Sequence, residues 1–162
     1  MIVAPAYELN LRRILARDEA VIAVGEGELR GEALACGLHA DLLVLAGDTR
    51  IILDTPASWS GAVWRMGRRA LMFCVTPVIV PAAIADLLVP PGRDPLQWTA
   101  ESVGARSAIA LDAAANLIRR RGGPRVGNVL ERAEFARLFA AGEPQKGLAA
   151  WLESRSTKRT YR

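Results

Sequence analysis

The sequence predicts an α/β core over residues 1–90 followed by a helical region over 91–162. Three observations carry that expectation. Short apolar runs rich in β-branched residues alternate with glycine turns and a small-residue helical stretch in the first third. Pro90-Pro91-Gly92-Arg93-Asp94-Pro95 is the clearest linker in the chain. Beyond it, alanine-rich stretches with helical spacing run almost to the C-terminus.

The elements follow in order. Leu9, Leu11, Ile14 and Leu15 share one helical face, predicting a helix over 9–17 with Asn10 as a candidate cap. Val21–Val24 reads as a buried strand, feeding a glycine-punctuated turn over 25–31 and a helix over 32–39. DLLVLAG from Asp41 predicts a second buried strand, and residues 49–53 a third. Residues 58–67, with Trp59 and Trp64, read as a loop. Helices are expected over 68–75, 81–89, 96–104, 107–120, 131–140 and 144–154, with a turn at 121–124. No internal repeat is evident.

Composition excludes several classes. At 162 residues, with 51% hydrophobic and 23% charged, the chain is large enough for a sizeable core and is not disordered. The only cysteines, Cys36 and Cys74, give neither a disulfide framework nor metal-ligand spacing, which points to a reducing, cytoplasmic setting. One histidine, His39, rules out a His-rich zinc site and any triad needing a second imidazole. Residues 1–20 show no signal peptide. The apolar stretch 70–91 contains Pro77, Pro81 and Asp86, so it is expected to be buried in the protein, not in a membrane. A net charge of +4, with no aromatics interleaved among Arg119, Arg120 and Arg121, argues against nucleic acid. Those three read as cations at a helix C-terminus.

A strand, a glycine turn and then a helix suit a backbone that approaches a ligand closely with its N–H groups. Gly25, Gly27 and Gly31 do not fit dinucleotide spacing. VIAVGEGELRGEALACGLHADLLVLAGDTRI instead resembles the signature region of the enoyl-CoA hydratase/isomerase (crotonase) family, without a gap from Val21 to Thr55. Arg65-Met66-Gly67 with Ala70, Arg106–Leu111, and Glu134–Phe139 followed by Glu143–Arg155 resemble later family patterns in the same order.

The resemblance implies a partial crotonase-like (ClpP/crotonase) spiral ββα core with a helical, trimerisation-type region behind it. It implies a coenzyme A thioester as ligand or substrate, no separate cofactor, and a place in fatty acid metabolism. The family's glycine triplet supplies a backbone N–H to the oxyanion hole; here the triplet reads Gly31-Glu32-Ala33. Its two catalytic glutamates fall on Ala35 and Thr55, neither able to serve as a general acid or base. Glu32 is the candidate substitute, with Asp54, Ser58 and Ser60 the other polar groups nearby. Strand alternation predicts that Asp54 faces away if Thr55 faces in.

By the same resemblance, the chain starts only one helix before the signature strand and supplies at most half an oxyanion hole. Trp59 and Trp64 are candidates either for acyl-pocket walls or for core and interface filling. Arg65, Arg68 and Arg69 are candidates for CoA phosphates, against a solvated helix face. His39 reads as a packed histidine, Asp41 as structural, and Cys36 and Cys74 as inert thiols; a lysine common in the family falls on Ala115. The shortened core is expected to assemble, as a homotrimer or hexamer or with a full-length crotonase. The resulting expectation is an acyl-CoA-binding protein with weak or no hydratase activity. The alternatives are an active enzyme using Glu32 and a structural pseudoenzyme subunit.

Overall fold

VIAVG forms a strand buried at every position, the pattern of a central strand in a parallel sheet covered on both faces. The computed structural model describes residues 1–67, 70, 79–104, 106–119 and 124–159. The chain divides into two units, Met1–Arg106 and Ser107–Arg162. The first contains β1 (Ile2–Pro5), a 3-10 turn (Ala6–Glu8), α1 (Leu11–Leu15), β2 (Val21–Gly25), β3 (Glu28–Arg30), α2 (Gly31–His39), β4 (Leu42–Ala46), β5 (Arg50–Ile52), α3 (Pro56–Met66), β6 (Leu87–Val89) and α4 (Pro95–Gly104). α4, after the proline-rich turn, packs against β1, β2, β4 and β6.

The topology is a spiral. One sheet has the order β1-β2-β4-β6, and the second pairs β3 with β5, all parallel. Each turn therefore contributes one strand to the large sheet, one to the small sheet, and a helix: β2-β3-α2, then β4-β5-α3, then β6. This is the ββα spiral that the family resemblance implied. Leu34 and Leu38 of α2 pack with Val21 and Ala23 of β2 and Leu43 and Leu45 of β4 to form the core.

The spiral carries an internal repeat that the sequence analysis missed. Ala40-Asp41-Leu42-Leu43-Val44 and Ala85-Asp86-Leu87-Leu88-Val89 are the same pentapeptide, and they open β4 and β6. In each copy the aspartate's N–H donates to a carbonyl on the preceding strand, and its carboxylate accepts that same residue's N–H. Asp41 does this with Val21, at 2.9 and 2.9 Å, and Asp86 with Leu43, at 2.9 and 2.6 Å. Each aspartate thus ties the start of its strand to the turn before it.

Four expectations are corrected. Residues 81–89 are not a helix but a 3-10 turn (Pro81–Ala83) and β6, because this copy of the pentapeptide pairs with β4. Residues 58–67 are not a loop: they lie mostly in α3, started by Pro56 and a capping box between Thr55 and Ser58. The turn over 25–31 includes β3, paired in register with β5. A strand, β1, precedes α1 and pairs with β2. The helix expected over 68–75 lies mainly outside the described residues.

The second unit holds α5 (Ala108–Arg119), α6 (Pro124–Ala140) and α7 (Glu143–Arg159). Ala113 and Ala115 of α5 are buried. Large apolar side chains stand exposed on the other helices: Val129, Phe135 and Phe139 on α6, and Leu148, Trp151 and Leu152 on α7. Phe135 and Phe139 lie one helical turn apart with ring centroids 4.6 Å from each other. Among the described residues, no helix is long and apolar enough to cross a membrane.

Candidate functional site

Gly31 opens α2 in the left-handed region, at φ 57°, where a side chain would be strained. The residue before it, Arg30, makes no side-chain cap. Asp54, from the β5–α3 connection, does so instead: its Oδ1 accepts the Gly31 N–H at 2.9 Å. Its Oδ2 accepts from Arg30 Nε at 2.9 Å. The Gly31 bond, with Arg30 beside it, holds the Asp54 carboxyl below its ordinary value. Asp54 therefore faces α2. Strand alternation does not reach it because β5 ends at Ile52.

Neither Ala35 nor Thr55, where the resemblance led us to expect the two glutamates, carries an acid or base. Ala35 is fully buried within α2. The Thr55 hydroxyl is engaged as the cap of α3, accepting the Ser58 N–H at 3.1 Å. Ser58 is buried and bonds back to Thr55, so it too is structural. Glu32 is exposed on the first turn of α2. Its charge adds to burial in pushing the Cys36 thiol up to about 11, so Cys36 is a protonated, unreactive thiol at neutral pH.

A cavity of about 280 Å³ adjoins this helix start, with Ala33 on one wall and Pro5 and Tyr7 on another. Glu26, Glu28 and Asp94 also line it. Residues upstream of β2 thus help to line the cavity, through β1 and the turn after it, a strand not expected from the sequence. A larger opening of about 950 Å³ lies at the carboxyl ends of β2, β4 and β6, lined by Gly47, Asp48, Pro90 and Arg93. Glu26 and Pro95 line both, so the two lie side by side. Carboxyl ends of parallel strands are the usual ligand side of α/β sheets. Among the described residues, no group of three His, Cys, Asp or Glu side chains is placed to hold a metal ion.

The other end of α2 is a scaffold. Arg65, offered above as a phosphate contact, is nine-tenths buried and donates to the carbonyls of Leu38 (3.1 Å), Gly37 (3.3 Å) and Ala40 (2.7 Å) and to Asp86. Those bonds use the guanidinium to close the C-terminus of α2, so it does not face a phosphate. Arg17 meets the same helix end at the His39 carbonyl, 3.0 Å away, and pairs with Asp41 at 2.9 Å. Asp41 is structural, as the sequence analysis expected. Arg68, Arg69, Cys74, Arg120 and Arg121 lie outside the described residues. Arg119 donates to the Ala115 carbonyl at the C-terminus of α5.

Trp64 stacks on His39, ring centroids 5.9 Å apart. An α-helix rises 1.5 Å per residue, which places this pair roughly 12 Å from Gly31. Trp64 therefore does not wall the cavity beside Ala33. Trp59 is half-buried on α3 and is not among the cavity's lining residues.

His39 is shifted below the ordinary histidine value by burial first, then by the charges of Arg17 and Arg65. The folded protein resists protonating it, so the unfolded chain binds more protons as pH falls below about 6.5. Stability is expected to decline there, until the folded-state value is passed. In His39→Gln that decline should be absent; melting curves at pH 7.5 and 5.5 check it. An equal acid-side loss in both proteins would place the effect elsewhere.

No protein-family model matches the sequence, and no curated protein matches it. Solved structures do match the fold. An enoyl-CoA hydratase from Mycobacterium smegmatis aligns with a TM-score of 0.69 at 17% identity, covering 89% of this chain and 63% of that one. An enoyl-CoA hydratase from Polaromonas sp. JS666 aligns at 0.69 and 21%, with the same coverage. One from Thermoplasma volcanium GSS1 aligns at 0.70 and 19%, covering 87% of this chain and 63% of its own. The chain spans under two thirds of the length of these structures. With the ββα spiral and its parallel register, they show that this protein has the crotonase fold of the enoyl-CoA hydratase/isomerase structures.

Proposed function

We propose that this protein binds an acyl-CoA thioester at the start of α2 and does not hydrate it. The observation that carries the reading is a ligand-sized recess beside the start of α2, together with Ala35 and Thr55 at the two positions where the resemblance expects glutamates. The first turn of α2 borders the cavity through Ala33, and backbone N–H groups in a helix's first turn have no partner within the helix. A thioester carbonyl is the acceptor such donors fit, and the larger opening beside the cavity gives room for the rest of the molecule. Water activation needs a group that exchanges protons near neutral pH. Ala35 has none and the Thr55 hydroxyl is held in a cap. Glu32 is the substitute that the resemblance leaves for chemistry, and it stands exposed on the first turn of α2, while Glu26, Glu28 and Asp94 line the cavity itself.

The exposed apolar residues of α6 and α7 support the second part of the reading, an assembly through the helical region. The partner is a second copy, as a trimer or hexamer, or a full-length crotonase. Aromatic side chains exposed on neighbouring helices are the usual core of such interfaces. The free, protonated Cys36 fits a reducing compartment such as the cytoplasm.

Thermal-shift titration with acetyl-CoA, crotonyl-CoA and free CoA tests the binding. A ligand at about 100 times its Kd stabilises the fold by about 2.7 kcal/mol. For a chain of this size that is a rise of several degrees in Tm, saturable and larger for the thioesters than for free CoA. No shift with any of the three would leave assembly as the role to pursue.

A further inference from the structure

The cavity beside the first turn of α2 carries charge of one sign. Val24 and Leu29, both buried, give it an apolar side. Its charged lining is Glu26, Glu28 and Asp94, with no Lys, Arg or His among the described residues there. Glu28 and Asp94 are committed elsewhere. Glu28 meets Arg30 at 3.6 Å and Arg50 at 3.5 Å, and an Asp94 oxygen caps α4 by accepting the Gln97 N–H at 2.7 Å. Glu26 forms no ion pair among the described residues, and it lines the larger opening as well. Tyr7, on the turn after β1, adds an exposed aromatic ring to the lining of the same cavity. Exposed carboxylates by themselves are ordinary solvated groups. Together with an aromatic ring and an apolar side in one recess, they supply the chemistry that holds an organic cation.

Resting on the acyl-CoA reading, we propose that the cavity takes a short acyl group that ends in a protonated amine. A water molecule takes up about 30 Å³, so a cavity of about 280 Å³ holds roughly nine groups of that size. A short acyl chain fits that space and a long one exceeds it. The ammonium group is held by Tyr7 and Glu26, and the methylenes rest on Val24 and Leu29. The same lining acts against the alternatives. A carboxylate at the end of the acyl group meets like charge, and the phosphates of CoA are repelled from the cavity, so the acyl end is the end that enters. Glu26 and Tyr7 are specificity-determining residues for the far end of the acyl group, and neither acts on the thioester.

The test uses thioesters of similar size and different charge: β-alanyl-CoA, butyryl-CoA and succinyl-CoA. The β-alanyl and butyryl groups differ only in an ammonium in place of a methyl. Calorimetric Kd values are measured at neutral pH and low salt for the native protein, Glu26→Gln and Tyr7→Leu. The native protein is expected to bind β-alanyl-CoA about fivefold more tightly than butyryl-CoA, the size of an exposed cation–π contact and ion pair together. Succinyl-CoA should bind most weakly, and added salt should narrow the differences. Each replacement should lower the β-alanyl over butyryl preference by about twofold or more. Equal affinity of the native protein for β-alanyl-CoA and butyryl-CoA, or a preference that neither replacement lowers, would overturn the amine selectivity and leave acyl-CoA binding standing. Binding of none of these thioesters by the native protein would overturn the acyl-CoA reading, and the selectivity with it.

Discussion

Removing either partner of the Arg17–Asp41 pair, as Arg17→Met or Asp41→Asn, is expected to cost about 3–5 kcal/mol of stability. Both side chains are more than nine-tenths buried. Arg17 joins the segment after α1 to the His39 carbonyl, and Asp41 joins β4 to β2 through the Val21 N–H, 2.9 Å away. Losing one partner removes the opposite charge while the other stays buried. Losing both leaves no such charge, so the double replacement should cost clearly less than the sum of the singles. The Arg65–Asp86 pair has the same arrangement one turn further along, but its aspartate is 35% exposed. Water can rescue that end, and Asp86→Asn should cost less than Asp41→Asn. Denaturant midpoints for the singles and the double check this. Singles below about 1 kcal/mol would contradict the account.

Gly61→Ala is expected to destabilise the protein even though alanine is the better helix former. A Cβ at this position of α3 would lie 2.7 Å from the Cβ of Leu38 on α2 and within 3.2 Å of the His39 ring. A neighbour's Cβ moves only with its backbone, so the helices must separate. Overpacking of this kind costs about 1–3 kcal/mol, against about 1 kcal/mol of helix propensity gained. Gly61→Val gains little of that propensity and should cost more. Gly37→Ala is the control: its Cβ would crowd Leu43 Cδ1 at 2.9 Å, a side-chain end that can rotate away, and otherwise meet Leu29 and Leu43 methyls at an ordinary 3.9 Å. Comparison of Tm for the three variants checks the ordering. A Gly61→Ala as stable as the native protein would mean that α2 and α3 are not held at this separation.

Much of the spiral was legible because its central strands are continuous apolar runs. VIAV and DLLVLAG admit few other readings between glycine turns, and Asn10 caps α1 as its residue type suggests. The errors had physical causes. β1 and β3 have four and three residues, too short for periodicity to register. In α3, Ser58, Ser60 and Gly61 imitate a loop, yet Ser58 belongs to the capping box and Gly61 allows a close helix crossing. β6 was mistaken for helix although its pentapeptide copies that of β4, a signal that a search for short repeats would have found. The candidate site was legible only in part. Glu32 and Ala33 were read at the start of a helix, which the structure begins one residue earlier at Gly31, and Ala35 and Thr55 are as unsuited to proton transfer as their side chains imply. Asp54 and Arg65 were misplaced because their partners lie 23 and more than 20 residues away, and pattern reading sees only near neighbours.

Binding without hydration is the central claim, and isothermal titration calorimetry with crotonyl-CoA reads both halves of it in one experiment. A saturable heat per injection reports binding, and a lasting displacement of the baseline power after each injection reports turnover. Saturable injection heats that return to the original baseline are the expected result. A baseline displacement proportional to protein concentration, or no heat of binding at all, would contradict the account.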